Sequence, residues 1–346
     1  MRYLERLFIE YLNAEGKVTI ANSEFNRDQI LSQLDPTAYD EAYNEWLSER
    51  KKTNLELADR ILDLHDNRDR FEKLKEIYKR GQLVIPFIGA GLSVLSGYPS
   101  WTGFLWKVQK ESSIDENLFN KLLQDGKYED AAQLLHDADS RYLQEQLENS
   151  YGREAKIKTG IICRLPEFFK NTVVTTNYDP LIKQIYSDYD CNFDEDLSGL
   201  EAHEYKKLSA ENKKILLRLH GRILTAKKRI LTKADYDRHY DQNNSIEHCL
   251  GALFSSTVLF LGCSLSVDRT LTCLEKITKS QQEPTKHYTF LSLVKEFDKD
   301  ENPIYLSDDE RVKRRQQLQK SSIYPIWYDG DHDECIEALL EKLAAE

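Results

Sequence analysis

The sequence predicts an α/β fold: a doubly wound, Rossmann-like parallel sheet with a helical insertion and a helical N-terminal arm. Two observations support this prediction. From Leu83 onward, six short apolar runs rich in Val, Ile, Leu and Thr alternate with segments long enough for crossover helices. Before them, the first 80 residues contain one glycine, Gly16, and space their apolar positions three or four residues apart. Strands that alternate with helices are typical of a doubly wound domain.

The arm, residues 1–80, is predicted to contain at least two helices. Between Thr53 and Tyr78, apolar residues recur at helical spacing apart from one longer gap, which predicts an amphipathic helix. A second helix is expected to begin at Asp35-Pro36, where an N-cap residue precedes a proline at the first helical position. The arm is either a packing extension or a surface for oligomerisation or a partner, and the sequence leaves both open.

Residues 81–346 form the predicted sheet domain. The six runs predicted as strands are Leu83–Ile88, Thr172–Thr176, Ile215–Leu219, Thr257–Leu261, His287–Ser292 and Ile323–Trp327. Pro86 argues against a central place for the first run, because proline removes a ladder donor, unless it lies at a bulge or on an unpaired side.

The long segment between the first two runs, about residues 102–170, is too long for one crossover helix. Its apolar pairs predict three or more short helices, around Leu118–Leu123, Ala131–Leu135 and Tyr142–Leu147, with Gly126 separating the first two. We interpret this segment as a helical insertion beside the predicted cleft.

Composition excludes several classes of function. The formal net charge of −11 argues against a primary role on nucleic acid or on a membrane surface, since binding phosphates needs a basic footprint. Two basic clusters, Lys227–Arg229 and Arg311–Arg315, are interpreted as solvated faces. No apolar run is long enough to span a bilayer. The N-terminus, Met1–Arg6, carries charges of both signs and lacks a signal-peptide pattern, so a cytoplasmic protein is expected.

The cysteines argue against a metal site. None of the six is two to four residues from another, so the paired spacing of a structural zinc site is missing. In a cytosolic chain they are interpreted as reduced thiols. Their positions are Cys163, Cys191, Cys249, Cys263, Cys273 and Cys335.

The first run ends in a glycine-rich turn, Gly89-Ala90-Gly91-Leu92-Ser93. Glycines permit a tight turn and let a ligand approach the main chain. A helix after the turn would direct free N–H groups and a positive dipole end at that gap, which suits a pyrophosphate. The turn therefore predicts a nucleotide site, although Val94 replaces the third glycine of the usual dinucleotide fingerprint.

Three further strands end in polar residues. The second run is followed by Thr176-Asn177-Tyr178-Asp179, the third by His220-Gly221, and the fourth by Gly262-Cys263-Ser264. Ligands of open α/β sheets bind beyond the carboxyl ends of the strands, so these segments should converge on the glycine turn.

Taken in order, Gly-Ala-Gly-x-Ser, Gly-x-Pro, Thr-Asn-x-Asp, Leu-His-Gly and Gly-x-Ser resemble the sirtuin family over about residues 82–330. Within that family the chain most resembles the NAD-cleaving, sirtuin-like proteins of bacterial antiphage defence. Deacylases of the family carry a zinc ribbon of four cysteines, and they read Gly-Ile-Pro-Asp-Phe-Arg where this chain reads Gly97–Thr102. They also have Gln at the position of Thr176. These departures favour NAD hydrolysis over peptide deacylation.

The resemblance implies a role for each matching residue. Gly89, Ala90 and Gly91 should lie against the pyrophosphate of NAD, and Ser93 should bond a phosphate. Trp101 should cover the nicotinamide ring, as the family's phenylalanine does, and Thr176 should border the cofactor.

The same resemblance implies the catalytic residues. Asn177 should position the attacking water or the ribose, and Asp179 should hold the nicotinamide carboxamide. His220 should act as general base near the ribose hydroxyls, because an imidazole titrates near neutrality. Gly262 and Ser264 should approach the adenosine, and Asp268 is a further candidate in that loop.

Three functions remain in competition. The first is an NAD+ hydrolase that releases ADP-ribose and nicotinamide in abortive defence against phage. The second is an NAD-dependent protein deacylase or ADP-ribosyltransferase, and the third a non-catalytic module that binds NAD or ADP-ribose. In the two enzymatic functions NAD is a substrate, and we expect no bound metal ion. Since an unrestrained hydrolase would drain a cytosol of NAD, we expect its activity to be gated. We also expect a homo-oligomer, because the arm carries apolar side chains that an interface between copies would bury: Tyr39, Tyr43, Trp46, Leu62 and Phe71. The resemblance offers a HerA-type ring ATPase or a phage-derived trigger as partner, and neither membrane nor nucleic acid is expected.

Overall fold

The computed structural model describes residues 2–223, 229–242, 245–265, 269–297 and 302–345, with the backbone alone at positions 200, 242, 245 and 297. The α-helices are α1 Tyr3–Asn13, α2 Arg27–Leu34, α3 Pro36–Leu62, α4 Asn67–Lys79, α5 Trp101–Gln109, α6 Glu116–Gln124, α7 Tyr128–Tyr151, α8 Leu165–Phe168, α9 Leu181–Asp188, α10 Tyr205–Ala210, α11 Lys233–Tyr236, α12 Ser245–Leu253, α13 Arg269–Ser280, α14 Asp308–Gln319 and α15 His332–Ala344. The strands are β1 Val18–Ile20, β2 Ser23–Phe25, β3 Val84–Ile88, β4 Val173–Thr175, β5 Glu195–Ser198, β6 Ile215–Arg218, β7 Thr257–Leu261, β8 His287–Ser292, β9 Val294–Phe297, β10 Pro303–Tyr305 and β11 Ile323–Tyr328.

A seven-stranded parallel sheet forms the centre of the fold, in the order β11-β8-β7-β3-β4-β6-β5. The predicted doubly wound α/β fold is confirmed, and all six predicted runs are strands of this sheet. The seventh strand, β5, was not predicted. Its first two residues, Glu195 and Asp196, belong to types depleted in strands, and β5 lies at the edge of the sheet.

The position of Pro86 explains how a proline fits a central strand. Gly89 donates its N–H to the carbonyl of Leu261 in β7. Successive backbone N–H groups point to opposite sides of a strand, so the backbone nitrogen of Pro86, three residues earlier, faces β4. The ladder to β4 begins only at Phe87, opposite Val174. Pro86 therefore lies before the first β4 rung, where its missing N–H interrupts no pairing.

Two apolar cores cover the two faces of the sheet. Side chains alternate along β3: Val84 and Ile88 join one core, whereas Ile85 and Phe87 join the other. The first core includes residues of the N-terminal helices, the insertion and α15, and the second includes residues of α10, α12, α13 and α14. Such a two-sided arrangement is what buries a parallel sheet completely.

The helices of the arm differ from the prediction. A single helix over Thr53–Tyr78 was wrong: α3 begins at Pro36, as expected, but continues to Leu62, and α4 begins only at Asn67. His65 in the connection has a positive φ of 50°, which no helix continues through. The longer gap in the apolar pattern coincides with this break. The arm also contains the hairpin of β1 and β2.

Some apolar residues of the arm pack inside this chain, and others are exposed, namely Tyr11, Ile20, Phe25 and Leu34. Phe71 is 0% exposed in the first core, and Phe8 is surrounded by Tyr39, Tyr43 and Trp46 at ring distances of 5.2–5.7 Å. Apart from Phe8, these are residues on which the oligomerisation hypothesis relied, and their contacts favour the packing interpretation for this part of the arm. Homo-oligomerisation stays a prediction.

The side chain of Asn67 attaches the arm to the edge of the sheet. Its Nδ2 donates to the carbonyl of Trp327 at 2.7 Å, and its Oδ1 accepts from the N–H of the same residue at 2.9 Å. Since β11 is the last strand on this side, the side-chain amide takes the place that a neighbouring strand would occupy.

A buried ion network also joins the arm to the C-terminal helix. Glu337 of α15 accepts from Arg164 Nη1 at 2.6 Å and from Arg50 Nη2 of α3 at 2.7 Å. Arg164 reaches Glu341 as well, at 2.5 Å, and Asn54 donates to Glu337 at 3.3 Å. Arm, insertion and α15 thereby share one set of charges.

The insertion is helical, as predicted. Gly126, with φ of 72°, separates α6 from α7, and Asp139 interrupts α7 with φ of −156° and ψ of 91°. The second and third predicted helices are therefore the two halves of α7.

In the parts of the chain that the structure describes, no helix combines the length and apolar character needed to cross a bilayer.

Candidate active site

The glycine turn after β3 lies directly against the end of β7. Gly89 N–H bonds Leu261 O at 2.9 Å, and Gly91 N–H bonds Gly262 O at 3.0 Å. A Cβ on Gly89 would lie 2.3 Å from Gly262 O, and one on Gly91 would lie 2.8 Å from it. From the sequence we explained these glycines by a tight turn and the approach of a ligand. In the structure they are needed because the backbone of this turn contacts the backbone at Gly262. Contact with a pyrophosphate stays a prediction for Gly89, Ala90 and Gly91.

The turn continues into a 3₁₀ helix, Ala90–Ser96, and not into the α-helix that would best suit a phosphate. Ser93 in this helix is 1% exposed. Asn177 Nδ2 donates to Ser93 Oγ at 3.2 Å, and the Ser93 hydroxyl bonds the Asp179 carboxylate. Ser93 therefore connects the two predicted site residues that follow β4, a role the sequence did not indicate.

Short-range bonds fix the polar turn after β4. Thr175 Oγ1 donates to Ile88 O at 2.8 Å and accepts from Asn177 N–H at 3.0 Å. This ties the turn to the end of β3. Thr176, between them, is half-buried.

The carboxylate of Asp179 is 3% exposed. Burial raises its pKa, although the Leu181 N–H, the Ser93 hydroxyl and the Arg218 charge act in the opposite direction. Leu181 N donates to Asp179 Oδ1 at 3.1 Å. The ionised form therefore exists here at a cost in folding free energy.

Arg218, the last residue of β6, is a site residue that the sequence analysis missed. It is 4% exposed, and its Nη1 donates to the carbonyl of Asp179 at 2.9 Å. Its Nε pairs with Asp196 of β5 at 3.1 Å. An arginine within an apolar strand was the available signal, because a buried guanidinium needs partners.

His220 follows β6 and is 8% exposed. Its Nε2 lies 3.2 Å from the Tyr240 hydroxyl and its Nδ1 lies 3.4 Å from the Tyr236 hydroxyl. Tyr240 also bonds Thr270 Oγ1 at 3.1 Å. The sequence analysis missed all three hydroxyls. The spacing Tyr236-x-x-x-Tyr240, which places two tyrosines one helical turn apart in the segment after a predicted site strand, was a possible signal.

The protonation of His220 differs from the expectation. Burial, with a smaller contribution from His239, lowers the pKa of His220 to about 3. The imidazole is therefore neutral at pH 7 and does not titrate near neutrality in this arrangement. A neutral imidazole still offers one nitrogen as proton acceptor.

The sheet brings His220 and Asn177 to the same level. Thr175 of β4 pairs with Arg218 of β6, and each candidate stands two residues beyond its member of this pair. Neighbouring strands are about 4.8 Å apart, so the two segments emerge side by side. Ser93, Asn177, Asp179 and His220 thus converge at the carboxyl edge.

Trp101 begins α5 and is half-buried. Its ring stacks on Phe104 at 5.4 Å and meets the edge of Tyr178 at 5.9 Å. Tyr178 is the residue between Asn177 and Asp179, so Trp101 borders the site. Covering a nicotinamide ring stays a prediction for it.

The predicted adenosine end is formed by the loop after β7. Gly262 has φ of 64°, and a Cβ there would lie 2.8 Å from Leu92 N, so this position also needs glycine. Ser264 is exposed, and its carbonyl accepts from the guanidinium of Arg314. Contact with adenosine stays a prediction for Gly262 and Ser264, and Asp268 lies outside the described residues.

The basic clusters are less solvated than expected. Arg229 is only 8% exposed and donates to Ile223 O at 3.1 Å, so its assignment to a solvated face was wrong. Lys227 and Lys228 lie outside the described residues. Arg314 is half-buried against the loop of Ser264.

Within the described ranges, no three His, Cys, Asp or Glu side chains are grouped so that they could hold a metal ion. The expectation of a protein without structural zinc stays a prediction. Elemental analysis of the purified chain should give far less than one zinc per molecule, and stoichiometric zinc would contradict it.

Comparison with known proteins gives the site a family context. Residues 171–326 match the model of the SIR2-like domain. That range contains Asn177, Asp179, His220, Gly262 and Ser264 but not the turn after β3.

Curated relatives agree with this match. The chain is 26% identical to the NAD(+) hydrolase ThsA of Cytobacillus dafuensis over 285 residues, 78% of this chain and 55% of that protein. It is 28% identical to the NAD(+) hydrolase ThsA of Enterococcus faecium over 279 residues, 75% of this chain and 54% of that protein. With the protein of that name from Bacillus cereus (strain MSX-D12), identity is 23% over 249 residues, 70% of this chain and 49% of that protein. The chain thus spans about half the length of the relatives it matches.

Proposed function

We propose, from the premise that this chain contains a SIR2-like domain, that it hydrolyses NAD+ to ADP-ribose and nicotinamide. The observation that carries the proposal is the convergence of Asn177, Ser93 and Asp179 in one hydrogen-bonded chain beside His220. The relatives named NAD(+) hydrolase support the same reaction.

The reaction breaks the bond between the ribose C1′ and the nicotinamide nitrogen. Nicotinamide leaves as a neutral molecule with the bonding electron pair, and a ribosyl cation develops. The oxygen of water then bonds C1′, and its proton passes to a base. Such a reaction demands orientation, stabilisation of positive charge and a proton acceptor more than it demands a nucleophile.

Each proposed residue supplies one of these needs. The Asn177 amide, held by Ser93, orients the water or the ribose. The buried Asp179 carboxylate accepts from the nicotinamide carboxamide, and its negative charge stabilises the developing cation. The neutral imidazole of His220 accepts the proton, a contribution typically worth about 10²–10⁴-fold.

We further propose that the activity serves antiphage defence in the cytoplasm and is held low until triggered. The candidates for the gate are the N-terminal arm and the insertion between the turn after β3 and β4. We propose that the chain forms a homo-oligomer and that its partner is a HerA-type ring ATPase or a phage-derived trigger. Addition of this partner to the purified protein should raise NAD+ turnover.

The test uses the purified full chain with NAD+, followed by separation of nicotinamide and ADP-ribose. His220→Ala and Asn177→Ala should each abolish cleavage without loss of the cooperative melting transition. The double variant should be no worse than either single one, because both residues serve one transition state. His136→Ala, which changes an exposed histidine, should retain activity.

Two outcomes would overturn the proposal. Folded His220→Ala protein with near-normal turnover would remove the proposed base. Release of nicotinamide only when an acetylated peptide is added would favour a deacylase instead.

A further inference from the structure

We propose that Tyr240 and Thr270 are positioning residues that fix the tautomer of His220, so that Nε2 carries the proton and Nδ1 is the acceptor. The inference rests on the proposed function for its kinetic consequence. Its structural content, the position of one proton on one ring, is independent of any reaction.

The three groups form a continuous chain. His220 Nε2 lies 3.2 Å from Tyr240 Oη, and Tyr240 Oη lies 3.1 Å from Thr270 Oγ1. A phenol has a single proton to donate. Either hydroxyl of the Tyr240–Thr270 pair can be the donor, and in the proposed arrangement Tyr240 donates to Thr270. The Tyr240 oxygen then accepts from His220, and Nε2 is the protonated nitrogen.

Burial distinguishes the two sides of the imidazole. Tyr240 is 9% exposed and Thr270 is 3% exposed, so the Nε2 side is closed by protein. Tyr236, on the Nδ1 side, is half-buried, and its hydroxyl is the more distant partner at 3.4 Å. A substrate hydroxyl or a water can replace the partner only on the more open side, which makes Nδ1 the acceptor.

A cluster of charges fixes the segment that carries Tyr240. Arg269, next to Thr270 in the chain, pairs with Asp237 at 2.5 Å and with Asp241 at 2.6 Å. Both carboxylates lie in the π-helical segment Asp237–Gln242, which contains Tyr240. Arg269 thereby holds the two hydroxyls in register with each other.

The polar contacts around Arg269 and Tyr240 also extend to the insertion. Glu129 of α7 pairs with Arg269 at 2.9 Å, and Gln133 accepts from Ala234 N–H at 3.1 Å. The segment over His220 is thus attached to α7 as well as to α13.

The primary test is the tautomer itself. Histidine labelled with ¹⁵N, with His220→Gln used for assignment, should show His220 as the Nε2–H form in the unmodified protein. Tyr240→Phe and Thr270→Val should change this to a mixture or to the Nδ1–H form. Thr270→Ser, which keeps the hydroxyl, should restore the original signal and establishes that the fold tolerates change at this position.

Kinetics give the second measurement. Tyr240→Phe and Thr270→Val should lower kcat for NAD+ about 10- to 100-fold, with KM within about twofold, the range expected for groups that orient a site residue. Thr270→Ser should recover most of kcat. Tyr78→Phe is the matched control, since it removes one tyrosine hydrogen bond, to Phe168 O, in a distant part of the first core.

The outcomes separate cleanly. An Nδ1–H tautomer in the unmodified protein, or an unchanged tautomer in both variants, overturns the inference. If no preparation cleaves NAD+, with a trigger present as well as without one, the proposed function fails while the ¹⁵N measurement still decides the tautomer. Equal losses of kcat in Thr270→Ser and Thr270→Val also overturn the inference, because the hydroxyl would then be irrelevant.

Discussion

Asp179 illustrates at the scale of one residue how a candidate site differs from a stable core. Its carboxylate is almost fully buried, and burial raises its pKa. A protein selected for stability alone would have an uncharged side chain there. The charge is explained if the site needs it for a ligand.

Replacing this charge should therefore increase stability and decrease activity. Because the folded-state pKa lies above the unfolded value, the ionised carboxylate destabilises the fold at neutral pH, and this effect disappears as pH falls below the unfolded value near 4. We expect Asp179→Asn to melt at a higher temperature than the unmodified protein at pH 7, with a smaller difference at pH 4, and to lose NAD+ cleavage. A lower melting temperature at both pH values would contradict this expectation.

His220 has the opposite dependence on pH. Burial lowers the pKa of His220 to about 3, so the folded protein favours the neutral imidazole. Above the unfolded pKa of about 6.5 this costs no stability. As pH falls from 6.5 toward 3, the free energy of unfolding decreases, because the unfolded chain binds the proton more tightly. We expect His220→Gln to lose less stability between pH 7 and pH 4 than the unmodified protein, as measured by urea unfolding. Neighbouring Tyr236, Tyr240 and His239 are common to both proteins, so the difference reports on His220.

The sequence named most of the residues that converge at the site but few of their contacts. Asn177, Asp179 and His220 were recognisable because each stands at the end of an apolar run. Arg218 and Tyr240 were not, because their contacts join segments that only the folded sheet brings together. Periodicity carries no information about such partners.

At the scale of elements, the glycine turn shows how two strands can require glycine of each other. The apolar runs of the sequence predicted β3 and β7, and a glycine follows each of these runs, Gly89 after β3 and Gly262 after β7. The sequence could not show that the two ends touch, since a contact between strands distant in sequence depends on strand order. Likewise β5 was missed because its pairing with β6 overrides a weak local preference.

A methyl group placed in this contact should destabilise the fold. Gly89→Ala would place its Cβ 2.3 Å from the backbone carbonyl of Gly262, where no side chain can move aside. We expect a loss of about 1–3 kcal/mol in the free energy of unfolding. Denaturant titration at pH 7 would measure it.

The chain provides a matched control for this substitution. Gly251 lies within α12, and a Cβ there would meet nothing within 4 Å. Gly251→Ala should stabilise the protein by about 0.5–1 kcal/mol, because alanine favours a helix. Equal effects of the two substitutions would exclude the close contact as the cause.

At the scale of the whole molecule, the ion network around Glu337 joins parts of the chain that the sequence treated as separate. The predicted boundary near residue 80 follows a change in pattern, but α3 packs on α15 and shares charges with it. Sequence patterns report local structure, and they do not report which surface a helix covers.

Removing the centre of this network should be costly. Glu337→Ala would leave Arg164 and Arg50 without their shared carboxylate, and breaking a buried pair typically costs about 3–5 kcal/mol. We expect a corresponding fall in the free energy of unfolding. Glu334→Ala, which changes an exposed residue of the same helix, should stay within about 0.5 kcal/mol. A loss in Glu337→Ala no larger than in this control would show that the network contributes little.

The amide of Asn67 has a consequence for the order in which the molecule is made. Helix α4 is synthesised before any strand of the large sheet, whereas Trp327, its partner on β11, follows 260 residues later. Until β11 emerges from the ribosome, the growing sheet lacks its outermost strand and α4 lacks the surface it covers. Contacts so distant in sequence close slowly. The nascent chain therefore passes a long interval with an uncovered helix and an unfinished sheet, the period in which chaperones would have most to protect.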